Sequence, residues 1–274
     1  MRGSSTVRRL AGNVAAYGYM GLIYGFIFLP VATLVLYSFK DGRFPLPPFN
    51  GPTLKWYRAV FDDPKLVEAL VNSITVAVAS SAVAVLLGFL AAYGLARYRL
   101  PGSAWQRLLL TVPLTVSYLV IGLGLLIVAN AVGVSKSLWL VGLGHVVINL
   151  PLAFSIIYAS MGEHQRNAER AARDLGAGEL SILRLVTAPM LAPAILASFF
   201  LAVTFSWDEF IIAFLLSRFD VTLPVEIWSL LRSGLNPKTN AVGSVVFLVS
   251  VVLVFALELT VFRRLTPKAK GADS

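Results

Sequence analysis

Six long stretches with little or no charge follow one another along this chain, and they limit its fold more than any other feature. They cover roughly Ala15–Ser38, Pro64–Ala96, Trp105–Ala131, Leu138–Met161, Met190–Leu216 and Asn240–Phe262. About 20 apolar residues in a helix cross the roughly 30 Å hydrocarbon core of a bilayer, whereas a barrel strand needs only about 9–11. Lipid offers no partner to a free backbone N–H or C=O, so stretches of this length predict helices. Pro113, Pro151 and Pro193 lie inside the predicted spans, where neighbouring helices make proline tolerable. Asp63-Pro64 reads as an N-cap followed by a first-turn proline, and Arg99-Leu100-Pro101-Gly102-Ser103 as the break after span two. Gly88, Ala91, Ala92 and Gly94 would let another helix approach span two closely.

The composition agrees with a multi-pass membrane protein. Hydrophobic residues make up 57% of the 274 and charged residues only 14%, with a mean hydropathy of +0.78, where an ordinary soluble domain carries about a quarter charged. The run from Leu10 to Phe39 holds no charge. It is longer than the apolar region of a cleaved leader, so it reads as a retained first span. The net charge of +9 sits at the ends of the apolar stretches, and no nucleic-acid-binding motif accompanies it. Lipid, and no nucleic acid, is therefore the expected surroundings. With the N-terminus inside, fourteen of the 23 Lys and Arg residues fall on the inner side and nine on the outer, which places both termini in the cytoplasm. The chain reads as one transmembrane domain, 1–274, with an N-terminal tail 1–14, a loop 162–189 and a C-terminal tail 263–274. The outer segment from Thr222 to Leu231 is apolar at helical spacing and is expected to pack on the bundle.

The loop between spans four and five carries the most information. In Asn167–Leu175, Ala168, Ala171, Ala172 and Leu175 recur at i, i+3, i+4 and i+7, one small apolar face. Gly176 stands where a helix end favours a residue free to take positive φ. A helix of about nine residues is marginal alone, so this face should dock, either on a partner protein or on the chain's own membrane bundle. A second helical stretch, Glu179–Thr187, leads to Pro189 and span five.

The spacing Arg170-Ala171-Ala172, three residues, Gly176, nine residues, then Val186-Thr187-Ala188-Pro189 resembles the Glu-Ala-Ala loop of permeases from binding-protein-dependent ABC importers. Arg170 stands in place of the motif's glutamate, Ala188 in place of its leucine and Val186 in place of its isoleucine. Glu169 comes one residue early and points elsewhere on the helix. Val71-Asn72-Ser73, Phe205-Ser206-Trp207-Asp208-Glu209-Phe210 and Thr222-Leu223-Pro224 followed by Asn236-Pro237 look like the branch that imports spermidine and putrescine. The resemblance implies an all-α type I ABC importer permease fold in a bacterial inner membrane, with the loop helix as a coupling helix. Arg170, Ala171, Ala172, Asp174, Leu175 and Gly176 would meet an ATP-binding subunit dimer. A second, homologous but non-identical permease and an extracytoplasmic solute-binding protein complete the set. The chain has no Gly-x-x-x-x-Gly-Lys-Ser/Thr phosphate loop, so ATP and Mg belong to the partner, and this chain carries no cofactor and catalyses nothing. A secondary transporter driven by an ion gradient is the alternative, although no internal repeat is visible. A membrane-embedded enzyme would need more than the two histidines, zero cysteines and no metal motif found here.

Asp208 and Glu209 are the acids nearest the membrane interior. A charge at mid-membrane costs roughly 2.5–3.5 kcal/mol on insertion scales, so such groups face a cavity or a partner. A straight helix from Pro189 would set Asp208 about 28 Å along its axis, and adjacent residues about 100° apart. A cationic solute could be held by one carboxylate beside the aromatic face of Trp207 or Tyr118; a structural ion pair is the other reading. Asn149 and His145, one turn apart in span four, either line the pathway or join helices. No acid follows Pro113 before Tyr118, where many polyamine-branch relatives carry one; the second permease would then supply that charge.

Overall fold

The computed structural model describes residues 3–42, 44, 47–98, 101–234 and 236–265. The chain is helical, and the isolated bridge between Lys40 and Pro52 is the one strand-like pairing among the described residues. In order come α1 (Gly3–Ser38), α2 (Lys55–Phe61), α3 (Pro64–Arg97), α4 (Ser103–Thr111) with a 3-10 turn Val112–Thr115, α5 (Tyr118–Ala131) and α6 (Leu138–Ala159). Then follow α7 (Glu163–Asp174), α8 (Glu179–Ile182), a π-helical turn Leu183–Thr187, α9 (Ala188–Met190), α10 (Ala192–Trp207), α11 (Ile211–Leu216), α12 (Leu223–Ser233) and α13 (Pro237–Leu265). Within these, Gly12–Ser38, Pro64–Arg97, Leu138–Ala159 and Pro237–Ala256 are long and apolar enough to span singly. Two bent helix pairs, each counted as one span, bring the number to six. The expected tail 263–274 lies outside the described residues from 266 onward.

Two of the expected spans are not straight. Span three was read as one helix from Trp105 to Ala131, but its two halves meet at 106°. Pro113 lacks the N–H of a helical bond and crowds the preceding turn. The chain therefore tightens into the 3-10 turn, runs extended through Val116 and Ser117, and restarts at Tyr118, where Ser117 Oγ accepts the Leu119 N–H at 3.3 Å. Span five bends by 72° at Leu191, and a second break follows between Trp207 and Ile211. The straight-helix placement of Asp208 does not hold for that reason.

The chain falls into two compact units. The first holds residues 1–63 and 230–247. Within it, Lys238 Nζ donates to Asp63 Oδ2 at 2.6 Å, so the residue before Pro64 serves as an ion-pair partner. Ser38 and Tyr57 share a 2.7 Å hydrogen bond, and Trp56 Nε1 donates to the Lys40 carbonyl at 2.9 Å. The second unit holds 64–229 and 248–274. Here α3 lies against α6 and α10. The close approach predicted at Gly88 is present: a Cβ there would stand 2.8 Å from Phe154 N and 3.0 Å from Ala153 Cβ. Two apolar clusters form this core. One joins Val76, Val141, Ile148, Ile212 and Leu216; the other joins Val85, Phe89, Ala153, Phe154, Ile157 and Leu191. Ser80, His145 and Ser206, buried on α3, α6 and α10, form a polar layer in the same unit.

Candidate functional site

The loop helix α7 is fixed by its own sequence at both ends. Gln165 Oε1 accepts the Gly162 N–H at 3.1 Å and so answers one free donor at the start. At the far end Gly176 takes φ +83°. Its N–H reaches the Arg173 carbonyl at 2.9 Å, and the Ala177 N–H reaches Ala172 at 3.0 Å, the two bonds of a Schellman ending. The positive φ expected at Gly176 is therefore present.

The side of α7 turned inward is centred on an acid, with Ala168 and Ala172 half-buried beside it and Ala171 and Leu175 left exposed. Glu169 is its buried residue, 2% exposed. It pairs with Arg97 at the end of α3, whose Nη2 lies 3.1 Å from Oε1, and it accepts the Thr187 hydroxyl at 2.9 Å. Arg166 donates to the Ala96 carbonyl at 3.2 Å, and Tyr93 donates to Glu179 at 3.1 Å. Arg173 pairs with Glu179 at 2.7 Å, and its guanidinium holds that loop carboxyl below the usual carboxylate range. The loop is thus tied to α3 and to the start of span five. Its other face is left open: Arg170, Ala171, Asp174 and Gly176 are exposed, Ala172 is half-buried, and Leu175 is 89% exposed. The signal for Glu169 was present in the sequence, as an acid facing Arg97 across 72 residues, but no periodicity couples positions so far apart.

The second constellation is the polar layer. His145 Nδ1 lies 2.5 Å from Ser206 Oγ, and Ser206 Oγ lies 3.3 Å from Ser80 Oγ. His145 Nε2 stands 3.4 Å from Glu209 Oε2. The Glu209 carboxylate accepts the N–H groups of Ile212 (2.9 and 3.0 Å) and Ala213 (3.1 Å), capping α11. His145 therefore joins helices, one of the two roles the sequence allowed. Asn149 and Trp207 are buried beside this layer in sequence, each with a side-chain donor that has no partner. Asp208 and Tyr118 are exposed instead. So of the five residues expected along the pathway, Asp208 and Tyr118 reach the surface of the chain, whereas Glu209, Trp207 and Asn149 do not.

At the opposite end of α3 from α7, two of the quoted segments meet. Asn72 Nδ2 donates to the Val221 carbonyl at 3.2 Å, and Ser73 Oγ accepts the Leu223 N–H at 2.7 Å, starting α12 before Pro224. Sequence reasoning placed both segments but not their contact. Among the described residues no group of three or more His, Cys, Asp or Glu is arranged to hold a metal.

Six spans, two of them broken, with a loop helix pinned beneath α3 and presenting a bare face, have the architecture of a membrane transport permease. The chain belongs to the family of binding-protein-dependent transport system inner membrane components, whose model matches residues 84–269. It is 30% identical over 265 residues to the spermidine/putrescine transport system permease protein PotC of Shigella flexneri, covering 96% of this chain and 99% of that one. It is 33% identical over 235 residues to the putrescine transport system permease protein PotI of Escherichia coli (strain K12), covering 82% and 83%. Its fold matches a bacterial ABC transporter involved in import of the acidic polysaccharide alginate, with a TM-score of 0.65 at 20% identity over 94% of this chain and 97% of that one. A second structure of such a transporter, in complex with an alginate pentasaccharide-bound periplasmic protein, matches at a TM-score of 0.68 and 16% identity over 96% and 98%.

Proposed function

We propose that this chain forms half of the solute pathway of an ATP-driven importer for a polyamine or a related amine-containing compound. The observation that carries the reading is the bare face of α7. A short helix anchored through Glu169 and Arg166 while leaving Leu175 89% exposed is built to be gripped by another protein. That partner is an ATP-binding subunit dimer, which holds ATP and Mg. Both termini and α7 then lie in the cytoplasm, in line with the distribution of Lys and Arg. A second, homologous permease and an extracytoplasmic binding protein complete the complex. Arg170, Ala171, Ala172, Asp174, Leu175 and Gly176 meet the ATPase. Closure of the ATPase pair moves α7, and the buried Glu169–Arg97–Thr187 contact passes that movement to α3 and to the start of span five.

Asp208, exposed at the end of α10, is the carboxylate for a cationic solute, with Tyr118 as an aromatic wall. Substrate preference for polyamines rests on the names of the relatives and on this exposed acid. The test is solute-stimulated ATP hydrolysis by the reconstituted complex, with binding protein loaded in turn with putrescine, spermidine or an uncharged sugar. Stimulation by an amine-loaded protein is expected, and Asp208→Asn should lower transport about tenfold while the complex still assembles, since a charged hydrogen bond contributes about 1.5–3 kcal/mol. Stimulation by the sugar alone would remove the polyamine reading. A chain that never co-purifies with an ATPase would remove the importer reading altogether.

A further inference from the structure

We infer that Glu209 is a positioning residue: it holds the break in span five open and so presents Asp208, without itself touching the solute. This rests on the importer reading for its consequence in transport, but not for its geometry.

Helix α10 ends at Trp207 and α11 begins at Ile211. The start of α11 lies in an apolar cluster, where Ile212, Ala213 and Leu216 are 0% exposed. Free N–H groups there have no water to turn to, and such buried donors are costly. Glu209 answers two of them with both carboxylate oxygens. The residue is 5% exposed, and its carboxylate faces the His145 ring at 3.4 Å, so it is turned into the chain and away from the surface that Asp208 reaches.

The ring is itself held. Its Nδ1 lies 2.5 Å from Ser206 Oγ, and its Nε2 faces Glu209 Oε2 at 3.4 Å. Ser206 and Ser80 share a 3.3 Å hydrogen bond. A string of polar groups thus runs from α3 through α10 and α6 to the break. Three side-chain nitrogens in this layer are buried without a hydrogen-bond partner: His145 Nε2, Asn149 Nδ2, one turn from His145 on α6, and Trp207 Nε1, beside Ser206. Unpaired groups at this depth disfavour the arrangement they sit in, so the break depends on the Glu209 cap to keep it.

Because this chain has no cysteine, Asp208→Cys gives it a single thiol; labelling by a small maleimide in the full complex in lipid nanodiscs, read on this chain after the subunits are separated, reports on presentation. Added Glu209→Gln keeps an oxygen acceptor and should leave labelling within about twofold; Glu209→Ala should slow it by about fivefold or more, the order expected for one lost buried hydrogen bond. His145→Leu should slow it in part, and His145→Gln, which restores a donor, should not. The His145 pair supplies the test should Glu209→Ala not fold. With Asp208 intact, solute-stimulated ATP hydrolysis should survive Glu209→Gln within about threefold and fall with Glu209→Ala. Equal loss for Gln and Ala in hydrolysis, with labelling unchanged by either, would make Glu209 a ligand of the cation and overturn the inference. A wild-type complex showing no stimulation would count against the importer reading alone, because labelling is read independently of it.

Discussion

Removing the Glu169 carboxylate is the sharpest single perturbation the fold offers. The side chains of Glu169 and Arg97 are 3% and 11% exposed, they touch through two oxygens, and Thr187 donates to the same carboxylate. Glu169→Ala leaves Arg97 buried with its countercharge gone and the Thr187 hydroxyl without its acceptor. Breaking one side of such a pair costs about 3–5 kcal/mol, whereas replacing both partners by apolar groups is often near neutral. Taking about 2–4 °C per kcal/mol for a chain of this size, the thermal midpoint should fall by roughly 6–20 °C. The double change Glu169→Leu with Arg97→Met should recover more than half of that loss. Tryptophan fluorescence during heating, in one detergent at fixed lipid content, measures both variants. The single variant should also lose solute stimulation of the ATPase, since α7 is no longer tied to α3. Arg173→Ala is the internal control: it breaks the exposed Arg173–Glu179 pair, keeps the Tyr93–Glu179 hydrogen bond, and should leave the midpoint unmoved because solvent screens that pair. A Glu169→Ala midpoint no lower than that control would refute both the burial argument and the path of movement drawn through Glu169.

Three further outcomes follow from particular contacts. Gly88→Ala puts a Cβ 2.8 Å from the Phe154 backbone nitrogen, so α3 and α6 must part; a loss of about 1–3 kcal/mol is expected, read as a lower unfolding midpoint. Gly176→Ala must hold φ +83° at a cost of about 1–2 kcal/mol, and hydrogen exchange should rise at Gly176 and Ala177, whose N–H groups close the end of α7. Ser73→Ala removes the acceptor for the Leu223 N–H, costing about 1 kcal/mol as for a lost cap, with faster exchange at Leu223 and no change in α7.

Much of the fold was legible because the bilayer enforces it. Charge-free stretches long enough to cross lipid must be helices, so the number of spans and the limits of α3 and α6 could be read directly, and Pro64 and Gly176 marked their helix ends by backbone chemistry alone. The breaks were less legible. Pro113, Pro151 and Pro193 look alike in sequence, yet Pro151 lies inside α6, Pro193 sits in the first turn of α10 where its missing N–H is harmless, and span three turns by 106° just beyond Pro113. Which proline breaks its helix depends on what neighbouring side chains can satisfy. At Pro113 the nearby serine, Ser117, is placed to cap a new helix.

The site divides along the same line. Features set by neighbours in sequence, such as the α7 helix and its glycine ending, were readable; features set by distant partners were not. The alanine spacing of α7 left open whether its small apolar face docks on the bundle or on a partner; the buried pair of Glu169 with Arg97 at the end of α3 sets the rotation of α7, with Ala168 and Ala172 half-buried beside it. That rotation is what leaves Leu175 and Ala171 bare, so the face read as a docking surface is exposed because an acid one residue early took the inner side. The same logic separates Asp208 from Glu209. Two adjacent acids look interchangeable, but α11 needs an acceptor at its first turn, and of the two it is Glu209 whose carboxylate reaches the Ile212 and Ala213 N–H groups. Glu209 is drawn inward by the N–H groups it caps, and Asp208 is left as the carboxylate that faces out.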